Sequence, residues 1–349
     1  MKKKIVLVIS LAIVMLVLAS CGNGGGEKVY IYSYGDYFDP DLIGMFEEET
    51  GITVVLDTYD TCEEMYPVIK NNSASYDVLC PSDYMIERLI DEDLLSEINF
   101  DNVPNIKNIG DKYMEMSKEF DPDNKYSVPH TFGTAGILYN TEMVGDTVID
   151  SWEDLWNEDF SGEIVMQDSI RDTFMVAEKI LGYSLNTVDE DELKEATELL
   201  KEQKPLVYKY ANDSTRDILA SESAAMGVIW NGEYLYALEL NDKLEFVVPK
   251  EGSQLFVDSW VITKTSENKE NAEAWINFMC REDIAKQNFE YLTYSCPNVA
   301  AQALLDEDVL NNEKVFLTDE TIDNCEVLKD LGPEGNELYS KYWKEFKAE

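Results

Sequence analysis

Hydrophobic and polar positions along the chain alternate between two periods. Val29 to Tyr32 is a short apolar run of strand type. Pro40 to Thr50 then predicts a helix, with Leu42, Ile43, Met45 and Phe46 on its inner side and Gly51 as its stop. Ile52 to Leu56 predicts the next strand, Glu63 to Lys70 a helix, Tyr76 to Cys80 a third strand and Met85 to Leu95 another helix. This β-α-β-α-β order implies a mostly parallel sheet covered by helices. A second series follows, with strands at Gly136 to Tyr139 and Glu163 to Met166, helices at Arg171 to Leu181 and 190–202, and a strand at Ala225 to Trp230. The stretch Asp189-Glu190-Asp191-Glu192 opens the second of those helices, and Leu193, Ala196, Leu199 and Leu200 are its buried stripe. Strands at Leu244 to Val248 and Phe256 to Thr263 lead to helices at 268–279 and 282–292. In the first of these, Ala272, Trp275, Ile276 and Met279 recur at i, i+3, i+4 and i+7. Two α/β lobes fit the pattern, and no internal repeat is present.

The beginning of the chain follows a different rule. Lys2, Lys3 and Lys4 precede an apolar run from Ile5 to Ala19, which is shorter than the roughly 18 residues of a spanning helix. Residues 1–20 therefore read as a signal peptide. The run ends in Leu18-Ala19-Ser20-Cys21, which resembles the lipobox of bacterial lipoproteins, with Cys21 as the lipidated residue. Gly22-Asn23-Gly24-Gly25-Gly26 makes 21–26 a lipidated cysteine with a flexible tether. The mature protein is expected outside the cytoplasmic membrane, held there by its acyl chains.

Composition narrows the chemistry. The 349 residues are 45% hydrophobic, which excludes disorder and leaves core enough for two domains. There are 28 basic side chains against 70 acidic ones, a net charge of -42. Binding to nucleic acid, which needs a basic patch, is excluded, and cations are the expected partners. His130 is the sole histidine, so a site built from several histidines is excluded as well. Besides Cys21 there are Cys62, Cys80, Cys280, Cys296 and Cys325, an odd number whose spacing matches no metal motif. Cys80, within Val78-Leu79-Cys80, reads as a small buried hydrophobe.

Ligands of open α/β sheets bind beyond the carboxyl ends of the strands. In this chain those places carry Ser33-Tyr34-Gly35-Asp36-Tyr37, Pro81-Ser82-Asp83-Tyr84, Asp168-Ser169-Ile170-Arg171-Asp172 and Trp230-Asn231-Gly232-Glu233-Tyr234. Phe256-Val257-Asp258-Ser259-Trp260 lies in the next strand, where alternation puts Phe256 and Asp258 on one face. Rings and carboxylates dominate, and Arg171 is the sole arginine among them. Such a set suits a slender organic cation, because rings hold an aliphatic stem and attract ammonium, while carboxylates accept its hydrogen bonds. Ser82, Asp83, Asp168, Ser169 and Asp172 also stand where helix caps and first-turn acids belong, and capping is the reading adopted for Asp83. Trp152 and Trp156 read as core, and His130 as a polar hinge or loop residue rather than a catalyst.

Several short motifs in order carry a family resemblance: Tyr32 to Tyr37 (YSYGDY), Phe46 to Gly51 (FEEETG), Pro81-Ser82, Phe120 to Asn124, Ser151 to Trp156, Ile229 to Gly232, Pro249 to Gly252, Asp258-Ser259, Ile276 to Phe278 and Pro297-Asn298. From about Val29 to the C-terminal end, the chain resembles the spermidine/putrescine-binding (PotD-type) proteins of polyamine ABC importers. The resemblance implies a two-lobed periplasmic-binding-protein-like α/β fold with mixed, mostly parallel sheets, helices on both faces and a ligand cleft between the lobes. Lobe 1 is expected at 27–134 plus 259–302, and lobe 2 at 135–258 plus 303–349. It further implies a polyamine as ligand, an ABC permease as partner, no catalysis, no cofactor, no bound metal and a monomer. Carried over by position, Tyr34 and Tyr37 flank the ligand stem, Asp36 lies near one amine, and Ser82 and Tyr84 line the same wall. Trp230 and Phe256 stack on the stem, Tyr294 contributes near a hinge, Asp258 anchors an ammonium, and Asp168 and Asp172 are acids of the other lobe. Tyr34 and Phe256 stand where relatives carry tryptophan, Gly35 replaces a hydroxyl residue, Ser169 falls where some relatives have an acid, and Leu328 replaces a glutamine of spermidine binders. The choice between putrescine and spermidine stays open.

Two other readings use the same residues. One is a receptor for another cation, such as ferric iron or a thiamine-like ligand; an iron site would want clustered tyrosines with an anion-binding arginine. A secreted glycoside hydrolase would pair carboxylates such as Asp36 and Asp258.

Overall fold

The computed structural model describes residues 26–35, 37–212 and 214–348. Its strands, in chain order, are β1 (Lys28–Tyr34), β2 (Thr53–Tyr59), β3 (Val78–Leu79), β4 (Leu95–Ser96), β5 (Ser127–Asn140), β6 (Ile164–Met166), β7 (Val207–Tyr210), β8 (Met226–Trp230), β9 (Leu244–Val247), β10 (Gln254–Thr263) and β11 (Glu326–Val327). Their spatial order is β2-β1-β3-β10-β5-β8-β6-β7, with β4 and β11 beside β10 and β9 beside β5. Neighbours β1–β2, β1–β3, β6–β7 and β6–β8 are parallel, as the alternation of strands and helices predicts. The antiparallel part of the mixed sheet belongs to β5 and β10, two long strands that no β-α-β unit supplies.

β5 joins the two halves of the molecule. Ser127 to Thr134 pair with β10, whereas Ala135 to Asn140 pair with β8 and β9. The sequence pattern marks only Gly136 to Tyr139 of this strand, because Pro129 and Gly133 interrupt the stretch before it. All its residues except Tyr139 are buried, so it has no polar face to alternate with. Gly136 is needed for close packing, since a Cβ there would lie 2.4 Å from both the Phe246 ring and the Val247 carbonyl.

Local signals place the flanking helices. Helix Asp41–Thr50 buries Leu42 and Phe46 and ends at Gly51, whose φ of 74° lets its N–H reach the Glu47 carbonyl. Helix Glu190–Gln203 buries Leu193, Ala196 and Leu200, with Asp189 capping two N–H groups. The helix expected to reach Leu95 runs over Asp83–Asp91 instead, because Asp93 takes a left-handed φ of 54° and frees Leu95 for β4. His130 lies inside β5 rather than in a loop, at the register shift opposite Asp258 and Ser259.

One hydrophobic cluster gathers side chains of 29–132 and 255–284, including Phe46, Trp260 and Trp275. A second draws on 135–228 and 328–346, including Trp152 and, from helix Gly332–Ala348, Tyr342, Phe346 and Tyr339, whose ring lies 5.4 Å from that of Phe174. A third lies around Leu138, Ile229 and Phe246. Trp152 is fully buried, and half-buried Trp156 donates its indole N–H to the Leu199 carbonyl. Cys62, Cys80, Cys280, Cys296 and Cys325 are free thiols. Among the described residues no helix is long and apolar enough to cross a membrane. The proposed signal peptide and Cys21 lie outside the described residues.

Candidate functional site

Adjacent parallel strands bring their carboxyl ends together, so Tyr34, at the end of β1, meets the segment that follows β3. The Tyr34 hydroxyl is 3.0 Å from Ser82 Oγ and 2.9 Å from Cys62 Sγ. Ser82 occupies the N-cap position of helix Asp83–Asp91 without capping it, which leaves its hydroxyl for the site. The Tyr37 hydroxyl donates to Asp258 Oδ2 and lies 2.6 Å from Thr131 Oγ1. The rings form a continuous run: Tyr34 to Tyr37 at 5.2 Å, Tyr37 to Tyr294 at 6.1 Å, and Tyr294 to Phe256 at 6.3 Å between centroids. Phe256 and Asp258 thus serve one site, as strand alternation requires. Trp260 does not join them; it is buried between Phe38, Trp275 and His130.

Electrostatics distinguish this place from an ordinary core. Asp258 is only 5% exposed, and its Oδ1 has no hydrogen-bond partner among the described residues. Burial pushes its carboxyl up to about 6; the Tyr37 and Ser82 hydroxyls oppose that rise, and the charge of Asp172 adds to it. Asp83 is buried too, and burial followed by the Asp258 charge holds its carboxyl well above the usual range. It is more than a cap: Oδ1 accepts from the Tyr84 N–H at 2.7 Å and Oδ2 from the Val257 N–H at 3.3 Å. Asp172, in the first turn of helix Ile170–Leu181, accepts from Gln254 Nε2 at 2.5 Å. Arg171 donates to the Lys329 and Leu185 carbonyls and to Asn186 Oδ1 rather than to these acids, though its charge partly offsets the rise of Asp83. Among the described residues no lysine or arginine forms an ion pair with Asp83, Asp172 or Asp258.

The remaining candidates divide. Tyr84 packs against both large clusters, donates to Glu63 Oε1 at 3.0 Å, and has the Arg171 guanidinium 5.6 Å from its ring centre. Trp230 ends β8 opposite Ala135, half-buried on the second cluster. Asp168 is not brought into the acid group: its exposed carboxylate pairs with Lys347 at 2.6 Å on the C-terminal helix. That helix carries no signal in the strand-end motifs, so the pairing was invisible to them. Asp36 lies outside the described residues. Asp83 and Gln254 belong to the site although sequence reasoning gave one a capping role and missed the other. The alternation that pairs Phe256 with Asp258 extends to Gln254 and was the available signal.

Residues 41–316 match the family described as bacterial extracellular solute-binding protein. The chain belongs to that family. The solute-binding protein is 34% identical over 323 residues to the spermidine/putrescine-binding periplasmic protein of Escherichia coli, covering 92% of each chain. It is similar to the solved structure of a spermidine/putrescine ABC transporter protein from Listeria monocytogenes, with a TM-score of 0.88 and 36% identity over 92% of this chain and 99% of that one. The spermidine/putrescine substrate-binding protein PotD of Streptococcus pneumoniae, solved with calcium and HEPES, gives a TM-score of 0.79 and 38% identity over the same shares, 92% and 99%.

Two glycines let the solute-binding protein assemble these rings. A Cβ on Gly133, the register partner of Phe256, would lie 2.6 Å from Phe256 Cζ and 2.3 Å from Asn231 Oδ1. One on Gly232 would lie 2.2 Å from the Tyr294 ring. Asn231 between them accepts from the Thr134 N–H at 2.9 Å and donates to the Lys314 carbonyl at 2.9 Å, tying β5 and β8 to the segment at 314–315.

Proposed function

We propose that this solute-binding protein holds a polyamine, putrescine or spermidine, among Tyr34, Tyr37, Ser82, Tyr84, Asp172, Trp230, Phe256, Asp258 and Tyr294, and passes it to a membrane ABC permease. The observation that carries the reading is the unpartnered, buried Oδ1 of Asp258, set beside a run of rings and near two further buried acids that form no ion pair among the described residues. A buried carboxylate without a partner is costly, and an ammonium ligand supplies both charge and donors. Each ring adds a cation–π contact of about 0.5–2 kcal/mol and a surface for methylenes. Relatives named for spermidine and putrescine support the same reading.

The lobes, 27–134 plus 259–302 and 135–258 plus 303–349, close over the ligand. Contacts such as the Asp330 N–H to Glu87 Oε2 at 2.8 Å and Lys329 to Glu119 at 3.3 Å suit a closed form. The protein works as a monomer without catalysis or cofactor, and the lipid on Cys21 holds it to the outer side of the cytoplasmic membrane. A ferric-iron receptor is disfavoured because Arg171 commits three of its five donors to protein acceptors. Isothermal titration with putrescine and spermidine tests the reading: saturable one-site binding is expected, and no heat with either, or turnover of a glycan instead, overturns it. Labelled palmitate incorporated into wild-type but not Cys21→Ala protein tests the anchor.

A further inference from the structure

Gln254 carries an unsatisfied group that the folded chain does not explain. The residue is 3% exposed, its Nε2 donates to Asp172 Oδ1, and its Oε1 is buried without a hydrogen-bond partner among the described residues. The NH2 group of the amide faces Asp172 and donates to its carboxyl oxygen. The acceptor left over therefore belongs to Oε1. Native chains seldom bury such an atom without a partner, and water or a ligand commonly fills the place.

Its position says which partner. Gln254, Phe256 and Asp258 are alternate residues of β10 and share one face. The outer two each bury an oxygen with no partner, Gln254 Oε1 and Asp258 Oδ1, and Phe256 stands between them. Four residues of strand separate their backbones by about 13 Å. An extended chain advances about 1.2 Å per bond, so the nitrogens of a four-carbon diamine lie about 6 Å apart. A hydrogen bond of about 2.9 Å at each end brings the acceptor spacing to about 12 Å.

Building on the polyamine reading, we infer that Gln254 is a ligand-contacting residue, its Oε1 accepting from the ammonium at the far end of a four-carbon diamine unit whose other end sits on Asp258. Asp172 then acts at the same end, orienting the amide through Nε2 and supplying charge. Phe256 covers the methylenes between. The amide thereby tells a polyamine with a donor at that distance from a monoamine without one.

Titration calorimetry of Gln254→Met, an apolar side chain of similar length, tests the assignment alongside the unaltered protein. The expected result is at least about a tenfold loss of putrescine affinity with little loss for butylamine, while the ligand-free melting temperature falls modestly because buried Asp172 loses its donor. Unchanged putrescine affinity overturns the assignment, as does an equal loss for both amines, which marks a structural amide. If the variant does not fold, the 15N-labelled unaltered protein decides: a shift of the Gln254 side-chain amide with putrescine but not with butylamine supports the contact, and no shift refutes it. Failure of the unaltered protein to bind any polyamine is a separate result, which removes the functional reading and this assignment with it.

Discussion

The Tyr37 hydroxyl donates to the Asp258 carboxylate across 221 positions of sequence, so the segment after β1 and the middle of β10 meet at one buried acid. That bond occupies one oxygen and leaves the other open. With its carboxyl raised from 3.8 to about 6, chiefly by burial, Asp258 costs the ligand-free fold on the order of 3 kcal/mol at neutral pH. The sign is that of a raised acid: its contribution to stability is fully present below about 4 and is lost as pH rises through about 6. Asp258→Asn is therefore expected to weaken putrescine binding by roughly 2–3 kcal/mol, about 100-fold, while raising the melting temperature of the ligand-free protein at pH 7. Calorimetry and thermal denaturation read the two effects; a lower melting temperature would contradict the account of an uncompensated charge.

Polyamine affinity should depend on pH in a defined window. An ammonium on Asp258 favours the ionised carboxylate, so binding below about 6 must first displace a proton. Affinity is expected to be level above about 7 and to fall by up to tenfold per pH unit below 6. His130, held down to about 4 by burial, stays neutral throughout and adds nothing. The slope should shrink in Asp258→Asn; a slope equal to that of the unaltered protein would assign the effect elsewhere.

Tyr37→Phe separates the ring from its hydroxyl. The ring contacts at 5.2 and 6.1 Å with Tyr34 and Tyr294 survive, while the donor to Asp258 is lost. That donor opposes the rise of the Asp258 carboxyl, so its removal should move the pH midpoint of binding upward. Affinity at pH 7 is expected to fall about fivefold to tenfold, consistent with the roughly 1–1.5 kcal/mol of one hydrogen bond. An unmoved midpoint would count against the hydroxyl as the group that tunes Asp258.

How much of this was legible in the sequence depends on the range of each interaction. Tyr34, Tyr37 and Ser82 follow strands that the apolar pattern marks, so a rule about strand ends reaches them. Phe256 and Asp258 needed only alternation. Asp83 escaped because a first-turn acid looks the same on the surface as in the interior, and its burial is decided by Val257, 174 positions away. Asp168 misled for the complementary reason: it stands after a strand like the others, yet Lys347 of a distant helix claims it. β5 was read at less than half its length because burial on both faces erases the period that betrays a strand, and its glycines record neighbours rather than turns.

Gly232 offers the sharpest separation of packing from conformation. Its φ of -59° is open to any residue, so backbone strain plays no part in its need for glycine. A Cβ would instead strike Tyr294 at 2.2 Å. The ring cannot withdraw freely, because its hydroxyl donates to Glu233 Oε1 at 3.0 Å and Glu233 is itself paired with Arg216 at 2.8 Å. Gly232→Ala is expected to cost about 1–3 kcal/mol of stability through overpacking and to weaken polyamine binding by displacing Tyr294 from Phe256 and Tyr37. Gly44→Ala is the matched control: that glycine lies exposed in helix Asp41–Thr50 with open space where the methyl would go. It should gain about 0.5–1 kcal/mol from helix propensity and leave affinity untouched. Chemical denaturation and calorimetry on the pair check both halves, and equal affinities for the two variants would mean that Tyr294 does not serve the ligand.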